Sequence, residues 1–330
     1  GMKKIALTMG DPAGVGPEII VRTLSDAMIR KCCIPVVIGD RIVLEEAVRM
    51  TASPLKLHQI QSPAEAQSSP EVLNLIDLNL VNTDSITTFE KHKATAENGR
   101  SCVGYIRKAV ELALSHEVDA VVTAPITKES LKLAGMHWPG HTEMIAEMTG
   151  TKDFAMMLAG GPLRVILVTI HTSIKSVPAM ITKDSVLKTI RLANRACEMM
   201  AIKNPRIAVA GLNPHAGEAG MFGDEEINAI IPAVEAARTS GIECTGPHPP
   251  DTLFHKAYNG SVDIIVCMYH DQGLIPLKMI AFDKGVNATV GLPIIRTSPD
   301  HGTAYDIAWK GVADPSSMIE AITFANRLSI

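Results

Sequence analysis

Six short apolar runs, rich in β-branched residues and without polar alternation, punctuate this sequence. They are Lys4–Met9, Ile34–Ile38, Asp119–Thr123, Arg164–Ile170, Arg206–Ala210 and Asp263–Tyr269. A strand with one face in water alternates apolar and polar residues, whereas a strand covered on both faces reads as a continuous apolar run. Helical patterning falls between the runs. Pro17–Ser25 opens with proline and Glu18, Ser101–Ser115 and Thr182–Met200 space their apolar residues by three and four, and Asp224–Thr239 begins with three acidic residues that suit a helix N-terminus. Strand–helix alternation predicts a mixed or parallel sheet with helices on its faces, an α/β fold. Thr51–Glu71, with Pro54, Pro63 and Pro70, reads as a surface loop or lid-like insertion. The 330 residues suit about two domains. No composition shift marks a boundary, so the domains are expected to exchange chain instead of following one another along a linker.

Composition removes several classes of function. Lys and Arg number 31 against 35 Asp and Glu, a formal charge of −4, which leaves no general footprint for nucleic acid. Aromatic residues are 4% of the chain, too few for a base-stacking surface. A content of 46% hydrophobic and 20% charged residues is that of a globular protein and not of a disordered one. No apolar run approaches the ~18 residues of a membrane span. Lys3–Lys4 leads straight into a strand-like run, without the apolar stretch and cleavage site of a secretion signal. None of the six cysteines forms a C-x-x-C pair. These features predict a reduced, cytoplasmic protein with neither nucleic-acid nor membrane partners.

Three of the eleven histidines stand apart by position. His171, His215 and His270 each follow a strand-like run, directly or across a short turn. In open α/β sheets ligands bind beyond the carboxyl ends of the strands. Three imidazoles delivered to one rim, with a fourth position open, suit a catalytic divalent metal; otherwise they are three unrelated strand-end residues. Asp271 and Asp251 are carboxylates that either orient a ligand or move a proton.

The first turn, Met9-Gly-Asp-Pro-Ala-Gly-Val-Gly-Pro-Glu18, is neither a G-x-G-x-x-G fingerprint nor a Walker loop. Gly10, Gly14 and Gly16 permit close backbone approach, and the helix that follows offers N–H groups to an anion; the alternative is a tight strand-to-helix turn. Thr297–Ile307 is polar and glycine-containing, is expected to lie immediately before a helix, and suits either a nucleotide or a helix cap. His141, Thr142, Lys278, Asn287 and Arg296 are polar residues in apolar or glycine-rich surroundings, and together they point to an anionic small molecule.

Five segments carry a family resemblance: Gly10–Glu18, Gly140-His-Thr-Glu143, Gly211-Leu-Asn-Pro-His-Ala-Gly-Glu218, Met268-Tyr-His-Asp-Gln-Gly273 and Gly291–Ser298. From about residue 4 to 325 the chain resembles the PdxA family, the 4-hydroxythreonine-4-phosphate dehydrogenases and their sugar-acid-phosphate relatives. The first loop and His301–Asp306 are also similar to the wider isocitrate and isopropylmalate dehydrogenase fold. The resemblance implies two α/β/α domains around a central cleft: 1–128 with 299–330 on the cofactor side, and 129–298 on the metal, substrate and dimer side. It implies a homodimer with its active site at the interface. His171, His215 and His270 would bind one divalent metal (Zn, Mg or Co). His141, Thr142, Lys278, Asn287 and Arg296 would bind a small phosphorylated hydroxy acid.

The resemblance further implies NAD- or NADP-dependent oxidation of a secondary alcohol, then decarboxylation. Asp251 and Lys278 are the candidate catalytic groups. Gly10, Asp11, Gly14, Gly16, His301, Gly302, Thr303 and Asp306 are the candidate cofactor contacts. The expected substrates are D-threonate or D-erythronate 4-phosphate, giving dihydroxyacetone phosphate, or 4-phosphooxy-L-threonine, giving 3-amino-2-oxopropyl phosphate in pyridoxine phosphate synthesis. Ala124, His248, Pro250 and Trp309 depart from the vitamin B6 branch and favour the sugar-acid branch. A metal-dependent phosphosugar aldolase or lyase, and a non-catalytic sugar-phosphate binding protein, are the alternatives.

Overall fold

The structure, a computed structural model, describes residues 1–81 and 89–330. Its strands in chain order are β1 (Lys3–Thr8), β2 (Cys33–Gly39), β3 (Lys56–Gln59), β4 (Val72–Asp77), β5 (Ala120–Thr123), β6 (Ala155–Gly160), β7 (Leu163–Leu167), β8 (Ile207–Ala210), β9 (Cys244–His248), β10 (Ile264–Cys267), β11 (Val286–Val290) and β12 (Arg296–Pro299). The chain divides into two compact units. One comprises Gly1–Lys152 and Leu292–Arg327, the other Asp153–Gly291 and Leu328–Ile330.

In the first unit the strand order is β3-β4-β2-β1-β5-β12, and every neighbouring pair is parallel. Helices packed on the sheet explain why its strands read as unbroken apolar runs: Ile5, Leu7, Val36, Val37, Val121 and Val122 have no exposed surface. Helix Ala96–Leu114 packs on β1, β2 and β5, and Ser316–Arg327 packs on β12. Helices Lys128–Leu133 and His141–Met148 pack on Ala96–Leu114. That packing, and the pairing of β12 with β5, place 129–152 and 292–298 in the first unit, a correction to the expectation that they belong to the second domain.

The second unit has a mixed sheet in the order β11-β6-β7-β10-β8-β9. β11, β6 and β7 pair antiparallel, while β7, β10, β8 and β9 pair parallel. A two-residue turn joins β6 to β7; its first residue, Gly161, has φ 54°, the value that favours glycine there. Leu158, Val165, Leu167, Ile265 and Cys267 form its buried core.

The Thr51–Glu71 stretch is not a loop throughout. It contains β3, which pairs with β4 at the edge of the first sheet, and a turn of 3-10 helix at Pro63–Glu65. Edge strands need only one partner, so prolines on either side of Lys56–Gln59 are tolerated. The acidic stretch before Thr239 also differs from expectation: Glu226–Ile230 is a π-helical turn, and the α-helix proper is Ile231–Thr239. No helix among the described residues is long and apolar enough to cross a membrane.

The glycines of the first turn are explained by packing. A Cβ on Gly16 would stand 2.4 Å from the Met9 carbonyl oxygen, and one on Gly14 would stand 2.9 Å from Thr303. Gly302, by contrast, has open space around it. Gly16→Ala is therefore expected to destabilise the fold by about 1–3 kcal/mol, the cost of overpacking, and Gly302→Ala to stay within about 0.5 kcal/mol. Urea midpoints measure both, and equal midpoints would contradict the packing account.

Candidate active site

Three adjacent parallel strands of the second unit, β7, β10 and β8, run toward the three histidines. Val168–Ile170 link β7 to His171, Met268 and Tyr269 link β10 to His270, and Gly211–Pro214 link β8 to His215. The rings of His171 and His270 lie 5.7 Å apart between centroids. Asp271 Oδ1 is 2.8 Å from His270 Nδ1, an arrangement that orients the ring and leaves Nε2 available to a ligand. The His171 ring makes no hydrogen bond to another protein group among the described residues. A cavity of about 630 Å³ is lined by Thr172, Val177 and Tyr269 together with both histidines and Asp271.

His215 is less closely gathered. It is exposed, and its ring lies 6.1 Å from that of Phe222. Among the described residues no three His, Cys, Asp or Glu side chains stand close enough to hold a metal ion. The structure thus brings His171 and His270 together and puts His215 beyond the end of β8, the strand on the other side of β10. Two adjacent imidazoles, one carboxylate-oriented, with a third on a neighbouring loop, are the donor chemistry of a Zn- or Co-type site.

A buried polar layer beneath the histidines was not visible as a site in the sequence. Thr169 Oγ1 donates to the Met268 carbonyl at 2.7 Å, tying the His171 segment to the His270 segment. Gln272 Oε1 accepts from Met268 N at 2.7 Å, and its Nε2 donates to the Gly211 carbonyl at 2.8 Å, tying the His270 segment to the His215 segment. Glu226, nearly fully buried, accepts from Leu212 N at 3.0 Å and Asn213 N at 2.8 Å. Gln272 stands directly after His270-Asp271, which is the one sequence signal that could have found it.

Other expected residues fall in both units. Lys278 is exposed on helix His270–Ala281. Asn287 is on β11, and its buried Oδ1 has no hydrogen-bond partner among the described residues. Asp251, exposed at the start of helix Pro250–Tyr258, accepts from Thr252 N at 2.9 Å. In the first unit, Arg296 is 2% exposed and donates to Thr123 Oγ1 at 2.9 Å and Thr142 Oγ1 at 3.3 Å. Burial lowers its pKa to about 10, a value at which it stays cationic at neutral pH. His141 Nε2 is buried without a hydrogen-bond partner among the described residues. Burial, then the Arg296 guanidinium, holds its imidazole well below the ordinary value and so neutral.

The expected cofactor residues divide into buried and exposed sets. Asp11 is fully buried and serves the fold: Tyr305 Oη donates to its Oδ2, Ser130 Oγ donates at 3.2 Å, and Ala13 N donates to Oδ1 at 2.8 Å. Burial raises its pKa, against these three hydrogen bonds. Thr303 is buried too, and its carbonyl accepts from Val15 N at 2.9 Å. His301, Gly302 and Asp306 are exposed. The segment does not lead directly into a helix. Ala304 and Trp309 have φ values of 46° and 62°, which interrupt helical geometry, and the next helix starts at Ser316. Free helix N–H groups therefore do not exist at His301–Asp306.

The neutral state of His141 has a pH consequence. As pH falls through the ordinary value of 6.5, the unfolded chain takes up a proton that the folded chain refuses, and stability drops. His141→Gln is expected to lose less stability than the parent between about pH 7 and pH 5, read from urea unfolding. An identical acid-side loss would show that the ring is protonated in the fold.

Comparison with known proteins agrees with the sequence resemblance. The family model described as pyridoxal phosphate biosynthetic protein PdxA matches residues 31–325. The chain is 52% identical to 4-hydroxythreonine-4-phosphate dehydrogenase of Trichlorobacter lovleyi, over 99% of this chain and 97% of that protein. It is 48% identical to D-threonate 4-phosphate dehydrogenase of Cupriavidus necator, over 96% of this chain and 95% of that protein. The crystal structure of 4-hydroxythreonine-4-phosphate dehydrogenase from Klebsiella pneumoniae superposes with a TM-score of 0.90 at 45% identity, covering 98% of each chain. Likeness of this degree over nearly the whole length, joined to the strand-end histidines and the buried arginine, means that the chain belongs to the PdxA family and is a dehydrogenase.

Proposed function

We propose that this chain uses NAD or NADP to oxidise the C3 alcohol of a 4-phosphorylated four-carbon acid, and then releases C1 as CO₂. The proposed metal ligands are His171, His215 and His270. The observation that carries the reading is the His171–His270 pair, 5.7 Å apart, with Asp271 fixing the second ring. A divalent cation held by these histidines would supply Lewis-acid stabilisation of the alkoxide and of the charge developed in decarboxylation, and a bound nicotinamide would supply the hydride acceptor.

The chain's own groups have separate roles. Arg296, cationic and buried, is suited to a carboxylate or phosphate, with Thr142 beside it. His141, neutral with Nε2 unpartnered among the described residues, supplies a hydrogen bond to a substrate oxygen. Lys278 and Asn287 are the proposed polar contacts of the second unit, and Asp251 and Lys278 are the candidates for moving the alcohol proton. Oxidation sends that proton to a base and the C3 hydride to the cofactor. Loss of CO₂ from the β-keto acid leaves its electron pair at C2, which is then protonated. The exposed His301, Gly302 and Asp306 are proposed cofactor contacts; the glycines of the first turn and Asp11 act by shaping that segment.

D-Threonate or D-erythronate 4-phosphate and 4-phosphooxy-L-threonine share the reacting carbons. Three of the departures from the vitamin B6 branch also have packing or hydrogen-bonding roles. Ala124 is buried against Gly10 and Gly16. Trp309 donates from Nε1 to the Pro12 carbonyl at 2.9 Å. His248 Nε2 stands 2.8 Å from Thr245 Oγ1. Substrate choice is therefore left to turnover.

A homodimer with the site completed at its interface is proposed as well. Ile275, Met279 and Phe282 line one face of the helix that His270 opens and are 61%, 81% and 73% exposed, an apolar surface suited to a second copy. A cytoplasmic location is proposed in keeping with six free cysteines.

NADH formation with a panel of 4-phosphorylated four-carbon acids tests the reading. Turnover is expected with at least one acid, and His270→Ala is expected to cut metal content and rate together by orders of magnitude. Aldehyde production without NADH would instead favour the aldolase alternative. Lys278→Ala is expected to lower kcat/KM several-fold or more with metal content unchanged. An unchanged kcat/KM removes Lys278 from substrate binding, and lost metal moves it to a structural role.

A further inference from the structure

His215 begins a run of backbone that L-residues rarely adopt. His215, Ala216, Gly217, Glu218 and Ala219 have φ values of 55°, 52°, 83°, 46° and 54°, a left-handed turn in which only Gly217 is a glycine. Such a run persists only where its surroundings over-determine it, and it concentrates at functional sites. Its entrance is held chiefly by Glu226, with Glu225 Oε1 accepting one further bond from Asn213 Nδ2 at 2.9 Å. Glu226 Oε1 accepts from Leu212 N at 3.0 Å and from Asn213 N at 2.8 Å, and Oε2 accepts from Asn213 Nδ2 at 3.0 Å. Oε2 also lies where a Cβ on Gly217 would stand, 2.7 Å away, so the turn wraps directly onto the carboxylate. Glu226 is 2% exposed and is the first residue of the π-helical turn Glu226–Ile230. Two uncommon backbone elements therefore meet at one buried carboxylate.

We infer that Glu226 is a positioning residue for His215: by gripping Leu212 and Asn213 it sets the left-handed turn that presents the His215 imidazole toward the His171 and His270 strand ends. The inference rests on the reading of His215 as a metal ligand. Its chemistry requires no proton transfer. A carboxylate supplies two acceptor oxygens to three donors, and no other residue type of that length does so. Glutamine retains one acceptor oxygen for the two backbone N–H groups but turns an N–H donor toward Asn213 Nδ2. Alanine removes the acceptor of the Leu212 and Asn213 N–H groups, while Asn213 Nδ2 keeps Glu225 Oε1 at 2.9 Å.

Co²⁺ binding to the full-length protein, followed by equilibrium dialysis and by visible absorption, tests this independently of turnover. Glu226→Ala is expected to weaken Co²⁺ binding by about tenfold or more, and Glu226→Gln by less. In a His215→Ala background, Glu226→Ala is expected to add no further loss, because its effect passes through that ring. A purely structural glutamate would add the same loss in both backgrounds, and that result overturns the inference, as does parent-like Co²⁺ binding by Glu226→Ala. Should Glu226→Ala fail to fold, Asn213→Ala opens the same clamp from the loop side and is read in the same two backgrounds. Parent-like binding by His215→Ala overturns the ligand reading and this inference with it. Loss of Co²⁺ in His215→Ala but not in the clamp variants overturns only the inference.

Discussion

The side-chain amide of Gln272 spans two strand ends, and the arrangement of the histidines depends on it. Its oxygen takes the Met268 N–H and its nitrogen gives to the Gly211 carbonyl, both in the buried interior. Parallel strands end with backbone groups that no further strand satisfies, and a buried unsatisfied group costs more than a hydrogen bond returns. Gln272 satisfies one such donor and one such acceptor from two different loops. In doing so it fixes the separation of the segments that carry His270 and His215. Thr169 does the same between the His171 and His270 segments. The placement of the strand-end histidines is set by hydrogen bonding one layer below them.

Six strands were legible because their burial on both faces leaves β-branched runs. The missed ones lack that signature for specific reasons. β6 is Ala-Met-Met-Leu-Ala-Gly, buried but poor in β-branched residues. β9 contains Gly246 and Pro247, which read as a turn. β12 is Arg-Thr-Ser-Pro and reads as polar, yet all four residues are buried. Its arginine is tolerated there because the hydroxyls of Thr123 and Thr142 accept from it. Tertiary context, not local pattern, makes that segment a strand.

The candidate site shows the same division. Histidines at strand ends carry their own chemistry and could be picked out by position. Thr169, Gln272 and Glu226 carry none, and their value lies in partners far away in sequence. Glu226 was legible only as one of three acidic residues that favour a helix N-terminus. In the fold its carboxylate turns back to the preceding loop instead, and the first turn becomes π-helical. The glycine turn after β1 has a packing explanation that the sequence offered only as an alternative. Its glycines suggested ligand approach, and Thr303 and the Met9 carbonyl stand where side chains on Gly14 and Gly16 would be, with Pro125 and Ala124 against Gly10.

Charge is handled differently in the two units. In the first unit the buried ionisable groups are shifted toward or kept at states that suit binding over proton exchange: Arg296 remains a cation, His141 is held neutral, and Tyr305 is raised to about 12 by burial and by its bond to Asp11. None of these changes protonation near neutral pH, so an anion bound beside them meets a constant field. In the second unit His171, His215, Asp251, Asp271 and Lys278 are exposed, and they are the groups with access to solvent protons. On the proposed reading, proton movement and metal exchange fall to residues that water reaches, while charge recognition falls to groups largely shielded from it. A reaction that must neutralise a carboxylate, deprotonate an alcohol and later reprotonate a carbon requires both kinds of environment, because no single degree of burial gives a fixed cation and an exchangeable proton.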